Sequence, residues 1–329
     1  MHIVAAPDKF RGTATAAEVT AAIAQAARPV GATVDAAPMA DGGEGTLEVL
    51  GGANRITTVT GPLGDPVAAP WRLDRRTAVI EMARASGLAL VGGAESNDPL
   101  GATTYGTGEL IEAALERGAR RILVGVGGSA TTDGGLGALR ALYPTQRLKG
   151  VDLSVACDVT TRFVDAAEVF GPQKGAGPAQ VELLRRRLQR LAQVYAETYG
   201  MEVSPLEGSG AAGGLAGGLA CVGAELRGGF ELLAEEVDLY GRIEQADLVI
   251  TGEGALDATS VEGKVVGGVW EMASVAGVPV LTVVGRADPA VSSTGGPLVS
   301  LSERFGTDRA MADTTGLITQ VVSDVLATL

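Results

Sequence analysis

The residue types that could carry chemistry in this chain stand in short polar loops. Residues 7–12 place Asp8, Lys9 and Arg11 close together. A guanidinium group binds a carboxylate or a phosphate through two parallel hydrogen bonds, so Arg11 is a candidate for either kind of anion. Asp8 and Lys9 would then complete a substrate- or phosphate-binding turn. The same residue types also occur in ordinary exposed turns, and the sequence alone favours neither interpretation.

A second polar loop, residues 40–46, carries two acids among three glycines. Asp41 and Glu44 lie where a predicted strand gives way to a helix. Two carboxylates in one loop can hold Mg²⁺ through its waters, and one of them can accept a proton from a hydroxyl group. Acids are also favoured at a helix N-terminus by the helix dipole, so the spacing does not decide between a functional and a structural pair.

Glycine, serine and threonine cluster in residues 127–135, directly after an apolar run that predicts a buried strand. Glycines expose backbone N–H groups, and with a following helix N-terminus they form a cradle for phosphate oxygens. The alternative is a tight turn in which Asp133 caps the next helix. We favour the phosphate-binding loop, with these residues as its members: Gly127, Gly128, Ser129, Thr131 and Asp133.

Further charged residues follow other predicted strands. Asp158 ends one apolar run, and Glu253 ends another, with Asp257 shortly after it. Each alone is most often a cap, but several acids at one sheet edge are typical of a magnesium and phosphate site. Lys174, in a turn rich in glycine, can neutralise phosphate charge or can be structural. The glycine-rich stretch 208–214 can approach a nucleotide or let two helices pack closely, and we favour close packing.

Composition limits the remaining choices. The formal net charge of −13 disfavours nucleic acid as a partner, because phosphate backbones bind basic surfaces. The one histidine is His2, which argues against both a His-based triad and a histidine metal cluster. Cys157 and Cys221 fit neither a disulfide framework nor a zinc site. No apolar run is long enough to span a membrane, and we expect a cytoplasmic protein with small-molecule ligands.

The elements that must position these loops alternate between strand and helix at both ends of the chain. Between residues 56 and 82, prolines and short spacings favour antiparallel strands instead. The polar loops follow the carboxyl ends of strands, where open α/β sheets bind their ligands. We therefore predict an α/β protein with a Rossmann-like parallel-sheet domain built from both termini, residues 1–55 and 205–329. A second α/β domain, residues 56–204, is inserted into it.

Taken together, these loops resemble those of the bacterial glycerate kinases of the two-domain type. No one stretch is specific, but they occur in the family's order across nearly the whole chain. The matching stretches are residues 6–12, 39–46, 60–64, 80–88, 104–111, 127–135, 170–176, 208–215 and 251–254 with Asp257. The resemblance implies a discontinuous Rossmann-like domain, an inserted second domain and a ligand cleft between them.

The resemblance also implies an activity, the ATP-dependent phosphorylation of D-glycerate, with ATP and Mg²⁺ as cofactors. In this family the product is usually 2-phosphoglycerate, with 3-phosphoglycerate as the other isomer. Phosphoryl transfer needs mainly positioning and charge neutralisation. Glu253 and Asp257 would accordingly help to place the metal.

The remaining roles implied by the resemblance concern the reacting groups. Arg11 and Lys174 would neutralise phosphate or the substrate carboxylate. Asp41 or Asp158 would orient the acceptor hydroxyl. The loop 127–133 would hold phosphate oxygens, and the other substrate- or phosphate-binding residues would be Asp8, Lys9 and Glu44.

The chain departs from the family at three places. Lys9 and Arg11 stand where Ser and Lys are more common, and the stretches 143–150 and 160–168 are shorter than in most members. Two alternatives to a D-glycerate kinase therefore stay open. One is a relative that binds a nucleotide or a hydroxy acid without turnover. The other is a kinase for a related acid such as tartronate or hydroxypyruvate.

Overall fold

The computed structural model describes residues 1–257, 264–291 and 296–328. The chain forms two compact units. Met1–Asp41 and Phe230–Leu329 together make the first, which we call the terminal unit, and residues 42–229 make the second, which we call the inserted unit. This is the predicted fold class, in which one α/β unit is built from both termini and another is inserted into it.

The strands and helices are numbered in chain order. The strands are β1 (His2–Ala5), β2 (Thr33–Ala36), β3 (Arg55–Thr60), β4 (Pro66–Asp74), β5 (Thr77–Glu81), β6 (Arg121–Gly125), β7 (Asp152–Ala156), β8 (Glu225–Arg227), β9 (Leu248–Thr251), β10 (Ala255–Leu256), β11 (Val280–Val284), β12 (Arg286–Ala287) and β13 (Leu298–Ser300). The helices of the described ranges are α1 (Ala16–Ala27), α2 (Thr46–Val49), α3 (Ala83–Ser86), α4 (Tyr105–Glu116), α5 (Leu136–Ala141), α6 (Ala166–Phe170), α7 (Pro178–Tyr199), α8 (Ala211–Ala220), α9 (Gly229–Glu236), α10 (Leu239–Ile243), α11 (Val265–Ala276), α12 (Leu301–Phe305), α13 (Thr307–Ala312) and α14 (Thr314–Leu326). None of the helices in these ranges has the length and apolar character needed to cross a bilayer.

The terminal unit is built on a five-stranded parallel sheet in the order β13-β11-β9-β1-β2. Strand β1 lies at the turning point of this order, because it pairs with β2 on one side and with β9 on the other. Numbered within the unit, the strands run 2-1-3-4-5, one of the two common orders of doubly wound sheets. In such sheets ligands bind outside the carboxyl ends of the strands where the order reverses, which here is between β1 and β9.

Apolar packing and one cap fix the first helix against this sheet. Helix α1 packs on α14, and its buried face includes Val19 and Ile23. The hydroxyl of Thr15 accepts the N–H of Glu18, and the Glu18 carboxylate accepts the N–H of Thr15 at 2.8 Å. This capping box confirms the predicted helix start and sets the length of the loop between β1 and α1.

The inserted unit is built on a six-stranded mixed sheet in the order β3-β4-β5-β6-β7-β8. Strands β3, β4 and β5 are antiparallel, as the prolines and short connections predict. Strands β5 to β8 are parallel, so their carboxyl ends lie at one edge of the sheet. Trp71 is fully buried in the core, and its indole N–H donates to the Thr57 hydroxyl at 2.9 Å.

The boundaries expected at 55/56 and 204/205 both lie inside the inserted unit. At the first, the Glu81 carboxylate accepts the N–H groups of Gly45 and Leu47 at 3.0 Å each, which fastens the chain before β3 to the inserted sheet. At the second, β8 forms the last strand of that sheet, and α8 is buried along its whole length. These contacts are long-range in sequence, so loop composition does not reveal them.

Candidate functional site

A cavity of about 450 Å³ lies at the carboxyl edge of the terminal unit's sheet. Asp8 lines it after β1, Glu253 after β9 and Arg286 after β11. Because β1 and β9 are the strands between which the order reverses, the cavity occupies the ligand-binding position of this class of sheet. Six residues selected from the sequence line it: Asp8, Lys9, Arg11, Asp41, Glu253 and Asp257.

Backbone hydrogen bonds hold the loop that carries Asp8. The N–H of Asp8 donates to the carbonyl of Gly252 at 2.9 Å, and the carbonyl of Pro7 accepts the N–H of Met39, also at 2.9 Å. The loop after β1 is therefore joined to the loops after β9 and β2. All three loops contribute an acid to the cavity.

Two glycines allow the loops around the cavity to approach each other. A Cβ on Gly254 would lie 3.0 Å from the backbone nitrogen of Arg11. A Cβ on Gly285 would lie 2.4 Å from the carbonyl oxygen of Gly254, closer than real Cβ atoms come to backbone. The loops after β1, β9 and β11 can therefore meet only because these positions lack side chains.

Asp8 is a buried acid on this cavity. It is 8% exposed, and its carboxylate accepts the N–H of Lys9 at 2.6 Å and lies 4.0 Å from the Lys9 ammonium. Burial, with a smaller contribution from the charge of Asp41, raises the pKa of Asp8 to about 6, although the positive charges of Lys9 and Arg11 act in the opposite direction. Asp8 can therefore change its charge close to neutral pH.

Two cations on the cavity were missed in the sequence analysis. Lys264 precedes α11, and Arg286 directly follows Gly285 at the end of β11. The strand-end rule that selected the acids would also have found Arg286, had it been applied to basic residues. The cavity wall thus combines four acids with four cations: Asp8, Asp41, Glu253, Asp257, Lys9, Arg11, Lys264 and Arg286.

The donor set of this cavity fits a magnesium ion shared with a ligand. Carboxylate oxygens are suitable ligands for Mg²⁺, which keeps several waters and commonly takes one or two carboxylates plus substrate phosphates. Within the described ranges, no group of three or more His, Cys, Asp or Glu side chains is placed to hold a metal by itself. Glu253 and Asp257 on one cavity fit the shared arrangement rather than an all-protein cage.

The other eight selected residues belong to the inserted unit. Near the end of β6, the loop 127–135 passes close to the segment that carries Glu44, since a Cβ on Gly127 would lie 2.7 Å from the Cα of Gly43. Gly128 has a left-handed backbone with φ of 71°, and Ser129 is buried. The inserted unit therefore brings Glu44 next to the predicted phosphate-binding loop.

Asp158, after β7, accepts the N–H of Gly229.

Asp133 is held by donors of its own unit. Its carboxylate accepts the N–H groups of Thr104 at 2.8 Å, Gly135 at 3.0 Å and Gly137 at 3.2 Å, and also the hydroxyl of Thr104. These bonds join the turn before α4 to the turn before α5. Asp133 thus shapes the loop, which agrees with the structural alternative, and its contact with phosphate stays a prediction.

Lys174 also supports this loop from within the protein. It is 2% exposed, and its ammonium group donates to the carbonyl of Thr131 at 2.6 Å. Asn97 donates to the carbonyls of Ala130 and Lys174, which adds a second tie between the same segments. Burial lowers the pKa of Lys174 to about 7, and the charge of Asp133 opposes part of this change. Neutralisation of phosphate by Lys174 stays a prediction.

The glycine-rich stretch at 208–214 packs closely, as interpreted from the sequence. A Cβ on Gly213 would lie 2.0 Å from the carbonyl oxygen of Thr131, and one on Gly214 would lie 2.8 Å from the Cα of Gly134. Ala212, Gly213 and Gly214 have left-handed backbone angles at the start of α8. This stretch therefore forms a support for the loop 127–135.

Comparison with known proteins gives consistent matches along the whole chain. Residues 3–145 and 143–329 match the family model described as the Glycerate kinase family. The Glycerate 2-kinase of Escherichia coli K12 is 42% identical, over 87% of this chain and 85% of that protein. The Glycerate kinase of Bacillus subtilis 168 is 41% identical, with the same shares covered. A crystal structure from Salmonella typhimurium LT2, solved as a candidate glycerate kinase 2, matches with a TM-score of 0.86 and 36% identity, over 100% of this chain and 98% of that one.

Proposed function

Because this chain belongs to the glycerate kinase family, we propose that it transfers a phosphoryl group from ATP to D-glycerate. The observation that supports the proposal most directly is the terminal-unit cavity, where four acids and four cations line the ligand-binding position of a doubly wound sheet. A small anion that must be phosphorylated needs cations for its charges and a carboxylate near its hydroxyl group. Both kinds of group line this cavity.

The proposed product is 2-phosphoglycerate. A relative that is 42% identical bears the name Glycerate 2-kinase, which favours this isomer over 3-phosphoglycerate. Regiochemistry depends on which acceptor hydroxyl faces the transferred phosphoryl group, and a residue that binds the carboxylate of D-glycerate can fix that orientation. We assign binding of this carboxylate to Arg11, because a guanidinium group can bind a carboxylate through two hydrogen bonds.

Asp41 is the proposed partner of the acceptor hydroxyl. It lies on the same cavity as Arg11, and it is close enough to Asp8 to raise the pKa of that residue. A carboxylate at this place can orient the hydroxyl and accept its proton as the bond to phosphorus forms. Asp158 is the second candidate for this role, and its oxygen that accepts the N–H of Gly229 is already engaged in the inserted unit.

The reaction also requires that the negative charge on the transferred phosphoryl group be neutralised. Bound Mg²⁺ would neutralise negative charge on phosphate oxygens, and Glu253 with Asp257 would hold it. Lys264 and Arg286 line the same cavity and would contact phosphate oxygens directly. In the inserted unit, the backbone of Gly127, Gly128 and Ser129 is proposed to bind phosphate. The contacts of Lys174 and of the stretch 208–214 with the loop 127–135 hold this backbone in place.

The test is ADP release by purified protein supplied with ATP, Mg²⁺ and D-glycerate. L-glycerate and a reaction without acceptor are the controls, and ³¹P NMR of the product identifies the phosphorylated carbon. Turnover that depends on D-glycerate supports the proposal. Faster turnover with tartronate or hydroxypyruvate would support the related-acid kinase instead, and binding of ATP or glycerate without turnover would support a non-catalytic relative.

A further inference from the structure

The inserted unit contains a second cavity, of about 540 Å³, whose lining shares Thr132 and Asp133 with the loop 127–135. Its walls come from the loops at 100–103 and 132–133 and from helices α5 and α7. The volume falls within the range of small-molecule sites, about 300–1,000 Å³. Two chemically different surfaces line it.

The floor of the cavity is apolar. Leu188, Leu191 and Val194 follow each other at helical spacing on α7, and Leu136 faces the cavity from α5. Leu188 and Leu191 also belong to a buried core cluster, which fixes their positions. A ligand that covers this floor gains from removing its own apolar surface from water.

The rim of the cavity is basic. Arg187 and Arg190 stand on α7, and Arg140 stands in the last turn of α5. The Arg187 guanidinium donates to the carbonyl of Leu100 at 2.9 Å, which holds the group at the cavity edge. Arg190 donates to Gln193 and lies 4.0 Å from Glu197. Over the described part of the chain, the Arg140 guanidinium makes no hydrogen bond or ion pair.

The charge of this rim is not cancelled from inside the cavity. Among the described residues that line the cavity, Asp133 is the one acid, and backbone N–H groups and a threonine hydroxyl of the same unit already bind its oxygens. Thr132 also lines the cavity, and its buried hydroxyl has no hydrogen-bond partner among the described residues. Three guanidinium groups around one opening contrast with the net charge of −13 of the chain.

We propose that this cavity binds a phosphate monoester whose organic part is apolar. Guanidinium groups bind the phosphate dianion with charge-assisted hydrogen bonds. The apolar floor explains why the ligand carries an organic part, since inorganic phosphate would leave the partly exposed side chains of Leu136 and Val194 uncovered. The proposal does not rest on the phosphoryl-transfer activity, because the arginines and apolar side chains that carry it have no role in the proposed reaction.

The test is isothermal titration calorimetry with phenyl phosphate, which combines a phosphate dianion with an apolar ring. It is carried out on the whole protein without ATP, Mg²⁺ or glycerate. Phenyl phosphate is expected to bind at least about tenfold more tightly than inorganic phosphate, and phenol is expected to show no binding. The variant Arg140→Gln/Arg190→Gln is expected to weaken phenyl phosphate binding at least about tenfold.

Arg186→Gln is the matched control, because Arg186 lies on the same helix but pairs with Glu182 and is not part of the cavity. It is expected to leave the affinity within about twofold. Circular dichroism establishes that each variant is folded, and Arg140→Gln alone replaces the double variant should that protein unfold. Equal affinity of the arginine variant and the unaltered protein would overturn the proposal. Absence of phenyl phosphate binding, or affinity no greater than that of inorganic phosphate, would overturn it as well.

Discussion

The N–H of Asp8 donates a 2.9 Å hydrogen bond to the carbonyl oxygen of Gly252. This bond joins the loop after β1 to the loop after β9, the two strands between which the order of the terminal sheet reverses. Only backbone groups take part in it. A substitution of Asp8, or of Glu253, which follows Gly252, can therefore leave this hydrogen bond between the two loops intact.

Asp41→Asn is expected to lower kcat for D-glycerate phosphorylation about 100-fold or more, because Asn cannot accept the hydroxyl proton. The fold is expected to stay intact, since the substitution keeps the size of the side chain. Steady-state kinetics and a thermal melt measure the two effects. Asp308→Asn, at an exposed position of α13, is the control with the same change of charge. Near-normal turnover of the Asp41 variant would remove this residue from the mechanism.

Acid pH is expected to weaken substrate binding through Asp8. Its pKa of about 6 means that the carboxyl group takes up a proton as the pH falls from 7 to 5, and the Lys9 ammonium then loses the charge that holds it. The KM for D-glycerate should rise below a pH of about 6. In Asp8→Asn the KM should be high at all pH values and should lack this dependence. An unchanged acid limb in the variant would assign the titration to another group.

The same pKa predicts a gain in stability for Asp8→Asn. The pKa in the folded state lies above the ordinary Asp value of 3.8, so protonation favours the folded protein. The stabilising effect of protonated Asp8 is therefore complete below a pH of about 4 and is lost as the pH rises through about 6. At pH 8 the variant should be more stable, on the order of 1 kcal/mol. At pH 4 the two proteins should have similar midpoints in urea unfolding, and a variant less stable at pH 8 would contradict the argument.

Lys174→Met is expected to destabilise the protein at neutral pH by about 1–3 kcal/mol, because the carbonyl of Thr131 loses its buried donor. The variant should also change the pH dependence. The pKa of Lys174 falls from 10.5 to about 7 in the folded state, so the unfolded chain binds more protons between these values. This lysine therefore makes the unaltered protein more stable as the pH rises from 7 to 10.

Urea unfolding at pH 7 and pH 9 tests this prediction. The stability gained on raising the pH should be smaller in Lys174→Met than in the unaltered protein. Lys149→Met, at an exposed position of the inserted unit, should keep the full gain. Identical pH dependence in all three proteins would mean that Lys174 is protonated in the folded state over this whole range.

Gly285→Ala is expected to separate the loops after β9 and β11. The new methyl group would lie 2.4 Å from the carbonyl oxygen of Gly254, so one backbone must move. We expect a loss of about 1–3 kcal/mol in the free energy of unfolding and at least a tenfold lower kcat/KM. Gly177→Ala, where the nearest atom is 3.8 Å away, should change neither quantity much. Normal activity of Gly285→Ala would show that the cavity tolerates a shift of these loops.

Much of the terminal site follows from sequence because its residues obey one local rule. Asp8, Asp41 and Glu253 each follow a strand of the terminal sheet, and parallel strands place their carboxyl ends at one sheet edge. Burial does not follow from such a rule. Lys174 stands in a polar, glycine-rich turn, and its contact with Thr131 connects segments 43 residues apart. A buried lysine and an exposed one have the same local sequence signal.

The domain boundaries show the same limit. The change from alternating helix and strand to antiparallel strands is visible near residue 55, and it predicts that the inserted domain begins there. The segment before it is bound to Glu81, which lies 36 residues after Gly45. Strand β8, at Glu225–Arg227, is too short to stand out, yet it completes the inserted sheet. Sequence patterns therefore identify the two sheets better than the points where the chain passes between them.

The terminal unit is built from two segments far apart in the chain, and this has a consequence for biosynthesis. The hydroxyl of Thr251 donates to the carbonyl of Ala6 across 245 residues, and β1 finds β9 over a similar separation. A ribosome therefore releases every residue of the inserted unit before β1 can meet its second neighbour. The inserted unit can fold during translation, while β1, α1 and β2 wait for the last third of the chain. A purified fragment that ends near residue 240 should thus contain a protease-resistant inserted unit and a protease-sensitive N-terminal segment.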